Sequence, residues 1–264
     1  EHGRLLKTVK HKAQEFSRLK SAKIDSGKSD LILGNLEKIK SEPDQKLKRW
    51  SATGFYNSGI TMKNVNKKIQ AKAELVTKSF AEYGSIVHLF LQYIPKFNSA
   101  DYSYLKRMVH YDFSLKVPSF DIIDEAFSEA MGILKKKSLK FLWEDQHNLR
   151  ELTLAGFLDP EQFSDVGKYI DKTCFYGRLD FLSLTDEKAL IIDFKTNSKV
   201  PSSEQSMEPS HLVQMAIYIG LMDNAFPDRE VTSAILWTKT ATLMKVSNKM
   251  AFKALKEHFD KSSS

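Results

Sequence analysis

The chain holds a single cysteine, Cys174, among its 264 residues. One thiol excludes an intramolecular disulfide framework, a four-cysteine zinc site and a four-cysteine iron–sulfur cluster. Cys174 lies in an apolar, strand-like run, where a buried, inert thiol is expected. No stretch of about 18 apolar residues occurs, so no membrane-spanning helix is expected. Glycine is scarce, with 11 residues, mostly scattered. No Gly-rich phosphate loop is visible, which counts against a hydrolase of small nucleotides. A signal peptide is also missing. The first residue is Glu1 and not Met, which reads as a processed or truncated start with any targeting segment lost.

What remains is enough for a folded domain. The hydrophobic fraction is 42%, sufficient for one large core or two small ones, and the charged fraction of 28% does not read as a disordered tail. Lysine and arginine number 40 against 33 acidic residues, a net charge of +7. That balance suits a polyanionic partner such as nucleic acid, and it also serves solubility. Residues 1–65 are rich in Lys, Ser, Asp and Gly and read as a basic, loop-rich extension. Residues 66–264 read as a separate domain.

Within that domain the texture changes once. An apolar helical period runs from about Asn66 to Tyr93, interrupted at Gly84. A second helix is predicted over Ile122–Leu134, with the lysines at 135–137 near its C-terminal end, where the dipole favours cations. Then "NLRELTLAG", "TCFYGRLDFLSLT" and "KALIIDFKT" read as three strands. Asp186 and Glu187 supply a turn, so the last two should form an antiparallel hairpin. "PSHLVQMAIYIGLMDNAF" reads as a helix with Ser210 as its cap, followed by two strands and a closing amphipathic helix. The order implies an α/β domain with a mixed sheet.

Chemistry concentrates at the end of "KALIIDFKT". Side chains two apart on a strand share a face, so Asp193 and Lys195 point the same way and Phe194 the other. The hairpin partner brings Asp180 of "YGRLD" beside Asp193. Two close carboxylates resist joint ionisation, and a divalent cation removes that penalty; hard oxygen ligands favour Mg²⁺ or Mn²⁺. A simple Asp–Lys ion pair at a strand end would give the same D-x-K pattern. Gln214 and Tyr218, spaced i,i+4, are polar groups in an otherwise apolar helix, and once buried they need partners. His88 follows Gly84 by four residues, in a place where small side chains allow close approach, and an imidazole ligates metals such as Mn²⁺. Glu151, set in the first strand, reads equally as a further ligand or a solvent-facing residue. Aromatics interleaved with cations over 93–113 suit the holding of single strands, as they suit a core with snorkelling lysines.

Gly-x-x-x-His, an acidic strand residue, G-x-x-D, D-x-K and Q-x-x-x-Y occur in that order between Gly84 and Asp223. The series resembles the RecB-like branch of the PD-(D/E)xK nucleases, and within it the block from Tyr176 to Asp223 is most similar to exonucleases of mitochondrial DNA maintenance. The resemblance implies an α/β, restriction-endonuclease-like core, a central mixed β-sheet flanked by helices with the site at the strand ends. It implies Mg²⁺- or Mn²⁺-dependent cleavage of DNA, as single strands with free ends or as flaps, in mitochondria. By the same resemblance His88, Asp180 and Asp193 are expected to bind metal, with Glu151 a possible further ligand. Asp180, Asp193, Lys195, Gln214 and Tyr218 are expected to be the catalytic set. Three features depart from the family pattern: about 19 extra residues between Glu151 and the GRLD strand, Gln92 where relatives often carry Glu, and no proline before the first motif Asp. The rival class is a nucleic-acid-binding subunit that keeps the fold without cutting. Loss of Asp193 or Lys195 would mark it, and both are present.

Overall fold

A computed structural model describes residues 48–53, 81–113, 119–144, 148–158 and 173–262. Of the expected extension over 1–65 only residues 48–53 are described; the rest of it, residues 66–80 and the insertion at 159–172 lie outside the described residues. The sheet belongs to a unit running from Lys46 to Ser264.

A helix occupies 81–93 (α1) and passes through Gly84 without a break. It is followed by α2, Tyr102–Phe113, and α3, Phe120–Lys135. The start of α3 is set by Ser119, whose Oγ accepts the Asp121 N–H at 3.2 Å. Nothing in the sequence announced α2. Only Leu105 and Val109 are buried in it, too thin a stripe to stand out among aromatics and charges. A short helix α4, Phe141–Glu144, leads into the sheet.

The strands are β1 (Lys48–Ser51), β2 (Leu149–Phe157), β3 (Thr173–Leu184), β4 (Lys188–Lys195), β5 (Glu230–Trp237) and β6 (Thr242–Val246). They form one six-stranded mixed sheet. β3 pairs antiparallel with both β2 and β4, β4 runs parallel to β5, and β5 antiparallel to β6. The β3–β4 hairpin closes where Thr185 N donates to Lys188 O at 2.9 Å, around the predicted Asp-Glu turn. β1 enlarges the five strands expected, because a segment read as loop pairs in parallel with residues 173–176 of β3. Four residues are too few to show a strand period in sequence, and their partner lies more than a hundred residues away.

Helix α5, Pro209–Ala225, lies between the sheet and the C-terminal helix α6, Asn248–Ser262. Residues 211–222 are all buried. This follows from a sequence apolar on every side, which has no solvent face to offer. Pro209, its φ preset and its missing N–H harmless there, occupies the first turn. Ser210 therefore falls inside the helix and does not cap it. The N-cap is Glu208, which makes no side-chain capping bond.

Candidate active site

The site is where β3 and β4 part. The hairpin ladder pairs Leu184 with Ala189 and continues to Phe181 opposite Ile192. One more step would set Asp180 opposite Asp193, and there the pairing stops. β1 takes up the same edge of β3 only at residues 173–176. Among the described residues, Gly177 to Asp180 thus have no strand on that edge. Side chains fill the gap. Asp180 Oδ2 accepts the Phe194 backbone N–H at 2.6 Å, and the Tyr218 hydroxyl donates to the Arg178 carbonyl at 3.1 Å. Gly177 is what lets Tyr218 in, since a Cβ there would meet the Tyr218 ring at 2.6 Å.

The other edge of β3 breaks at the same level. β2 pairs Arg150 with Phe181 and Leu152 with Leu179, omitting Glu151 and Asp180. Glu151 has φ 54°, a left-handed backbone uncommon for a residue with a side chain. Such strain costs of order 1–3 kcal/mol and gathers at functional sites. Glu151, Asp180 and Asp193 therefore lie on one row across three strands, and the ladder fails at that row on both sides.

His88 of α1 completes the near side, its Nδ1 3.0 Å from Asp180 Oδ1. Gly84, one helical turn earlier, lets α1 close on the chain after β4, since a Cβ there would meet Thr196 Oγ1 at 3.0 Å. One ligand atom each from His88, Glu151 and Asp180 lie within 4.8 Å of one another. Burial alone would lower the His88 pKa, but Asp180 beside it raises it. The same contact holds Asp180 below the usual carboxylate range against the effect of its burial. Burial, then the Asp180 charge, pushes Glu151 up.

Asp193 lies outside that trio. Its Oδ2 is 2.8 Å from Lys195 Nζ, in an ion pair without the alignment of a hydrogen bond. Its Oδ1 accepts from Gln214 Nε2 at 3.0 Å, and Gln214 Oε1 accepts from Lys195 Nζ at 2.8 Å. One amide thus steadies both charges, and its orientation is fixed because a carboxylate needs a donor and an ammonium an acceptor. Burial pushes the Asp193 carboxyl up, Asp180 adding to it and Lys195 opposing it. Tyr218 is also raised, by burial first and then by Asp193. Lys195 keeps 17% of its side chain exposed against 4% for Asp193. Phe194 points the other way, its ring against His88 and Trp143.

A hard divalent cation fits this donor set. The candidate ligands are one imidazole and carboxylate oxygens, and Asp193 adjoins them with its Oδ2 held by Lys195. Every residue singled out from the sequence lies at or beside the fork: His88, Glu151 and Asp180 on one side, Asp193, Lys195, Gln214 and Tyr218 on the other. Two neighbours had no such signal. Thr53 Oγ1 lies 3.3 Å from Gln214 Nε2, and Arg178 Nε pairs with Glu151 Oε2 at 2.7 Å. The first comes from a segment read as loop; the second is an arginine between two motif residues, visible only once β2 and β3 are side by side. The aromatic–cation stretch serves packing in part: Tyr93 is buried, and Lys106 pairs with Asp124 and lies over Phe127.

The fold is of the restriction-endonuclease-like α/β kind, and the fork carries a group of side chains able to hold a divalent cation. A family model for the PD-(D/E)XK nuclease superfamily matches residues 63–262, and the chain belongs to that superfamily. Its members are typically metal-dependent phosphodiesterases, and a nucleic acid is the substrate such a fold implies. Among solved structures, the crystal structure of SSO0001 aligns over 88% of this chain and 84% of its own, at 12% identity and a TM-score of 0.32. At that score the likeness bears on neither site nor substrate. A search of curated proteins gave no match. Among the described residues no helix is long and apolar enough to cross a membrane.

Proposed function

We propose that the chain is a Mg²⁺- or Mn²⁺-dependent DNA exonuclease acting on single-stranded ends or flaps. Its motif block resembles that of the mitochondrial genome maintenance exonuclease, and the proposal extends to mitochondrial DNA maintenance on that resemblance alone. The observation that carries the catalytic part is the row Glu151, Asp180 and Asp193, flanked by His88 and Lys195, at the level where the strands part. Five polar groups gathered in a gap of the ladder have little to do for stability that apolar residues would not do better.

His88, Glu151 and Asp180 would hold the cation, with Asp193 adjoining. When bound it supplies charge that acidifies a water and neutralises phosphate oxygens. The protein groups do the positioning. Lys195, steadied by Gln214 and Asp193, aims its remaining N–H groups at the attacking water or at charge building on phosphorus. Gln214 holds Asp193 and Lys195 at fixed separation. Tyr218 locks Gln214 to the Arg178 carbonyl and keeps the fork open.

Digestion of 5′-labelled, 3′-labelled and end-blocked single strands, with Mg²⁺ and then with EDTA, tests this reading. Cutting that needs both the cation and a free end supports it. Binding without cutting under any cation would instead favour a subunit that holds nucleic acid, in keeping with the closed Asp193–Lys195 pair. Organelle fractionation of cells expressing the gene checks the mitochondrial assignment.

A further inference from the structure

Arg178 has one nitrogen in an ion pair and two in reserve. Its Nε pairs with Glu151 Oε2 at 2.7 Å, yet the side chain is 65% exposed while Glu151 keeps only 13%. Among the described residues its terminal amino groups have no partner. Glu151 is also one of the three groups able to hold a cation. A dication and a guanidinium on one carboxylate repel each other, and the dication, with twice the charge and a closer approach, prevails. The Glu151 carboxylate thus stands between two claims, Arg178 and the cation group.

Arg178 also stands in the right place. It is two residues from Asp180 on β3, about 7 Å along the strand, the scale of one nucleotide step. Two residues further, Tyr176 is 46% exposed, an aromatic face on which a base can stack. The planar fork of arginine matches a phosphate with two parallel hydrogen bonds.

We propose that Arg178 is a phosphate-binding residue held back by Glu151, and that a cation at His88, Glu151 and Asp180 releases it to grip the phosphate beside the one attacked. Cation and nucleic acid then bind cooperatively through a single side chain. The inference rests on the nuclease reading of the site.

Anisotropy of a labelled single-stranded oligonucleotide tests it, in a Lys195→Ala background so that the strand stays whole. Mg²⁺ should tighten binding about tenfold over EDTA, the scale of a charge-assisted pair. Arg178→Ala should lose that tightening. Glu151→Gln should bind in EDTA about as tightly as its parent does in Mg²⁺, and Arg178→Ala added to it should erase the gain. Full tightening in Arg178→Ala overturns the proposal, as does a Glu151→Gln gain that survives without Arg178 or no gain at all. Arg178→Gln repeats the test should the alanine variant fail to fold. The nuclease reading is judged separately, by the uncut or cut strand with the unmodified chain and Mg²⁺. Cutting there, with cation-dependent tightening intact in Arg178→Ala, defeats this inference alone.

Discussion

The two ends of the β3–β4 pair are built from one hairpin and behave as opposites. At the turn end, Phe181 to Leu184 face Ala189 to Ile192 in an unbroken ladder, and most of the side chains are apolar and buried. At the far end the same two strands part, and carboxylates, an ammonium, an amide and a phenol occupy the gap. The contrast shows how a small sheet separates its tasks. Backbone groups that pair with each other need nothing from side chains. Backbone groups left unpaired recruit them, and those recruited here adjoin the group able to hold a cation.

If that division holds, substitutions at the two ends should sort cleanly, one class by activity and the other by stability. The largest effect belongs to the fork. Asp193→Asn or Lys195→Ala should lower Mg²⁺-dependent cutting of labelled single strands by about 10²–10³-fold or more, with circular dichroism unchanged. Full activity in either variant would break the comparison at once. At the turn end, Ile191→Ala should cost about 2–5 kcal/mol in urea unfolding while activity per folded molecule stays level.

A third effect is set by pH. Burial, with Lys195 nearby adding to it, holds His211 of α5 down at about 4. An unfolded imidazole takes its proton near pH 6.5. Between those values the unfolded chain binds the extra proton, so stability should fall as the pH drops from about 6.5 towards 4. The loss attributable to this group approaches about 3 kcal/mol at the acid end. Comparing the pH dependence of Tm in the parent and in His211→Asn isolates that slope; equal slopes would remove His211 from the account. The smallest effect is expected from Tyr218→Phe. It removes one donor to Arg178 O and one partner of Gln214, for about 0.5–1.5 kcal/mol by thermal unfolding. Activity should fall with it, since Gln214 loses a restraint, and a stability loss without any change in activity would separate the phenol from the site.

The parts of this arrangement that were legible in the sequence are those written in local spacing. D-x-K puts two side chains on one face of a strand, Q-x-x-x-Y puts two on one face of a helix, and the Asp-Glu turn forces the hairpin that brings Asp180 near Asp193. What could not be read depends on distant segments meeting. The left-handed backbone at Glu151 leaves no compositional trace, because the residue is not glycine. Its pairing with Arg178 needs the β2–β3 register, which the insertion between those strands obscures. Thr53 reaches Gln214 from a stretch with turn-like composition, and Ser210 looked like a cap because the proline before it was not read as the true helix start. Local rules name the residues; the register decides their company.

β1 has a practical consequence. It covers residues 173–176 of β3, and just beyond it Ala52 is buried. The superfamily match begins at 63, downstream of all this. A shortened version trimmed to that match would leave four residues of a long central strand with bare amides and carbonyls, an invitation to edge-to-edge self-association and turbid preparations. Anyone trimming this protein for crystallisation should start ahead of Lys48.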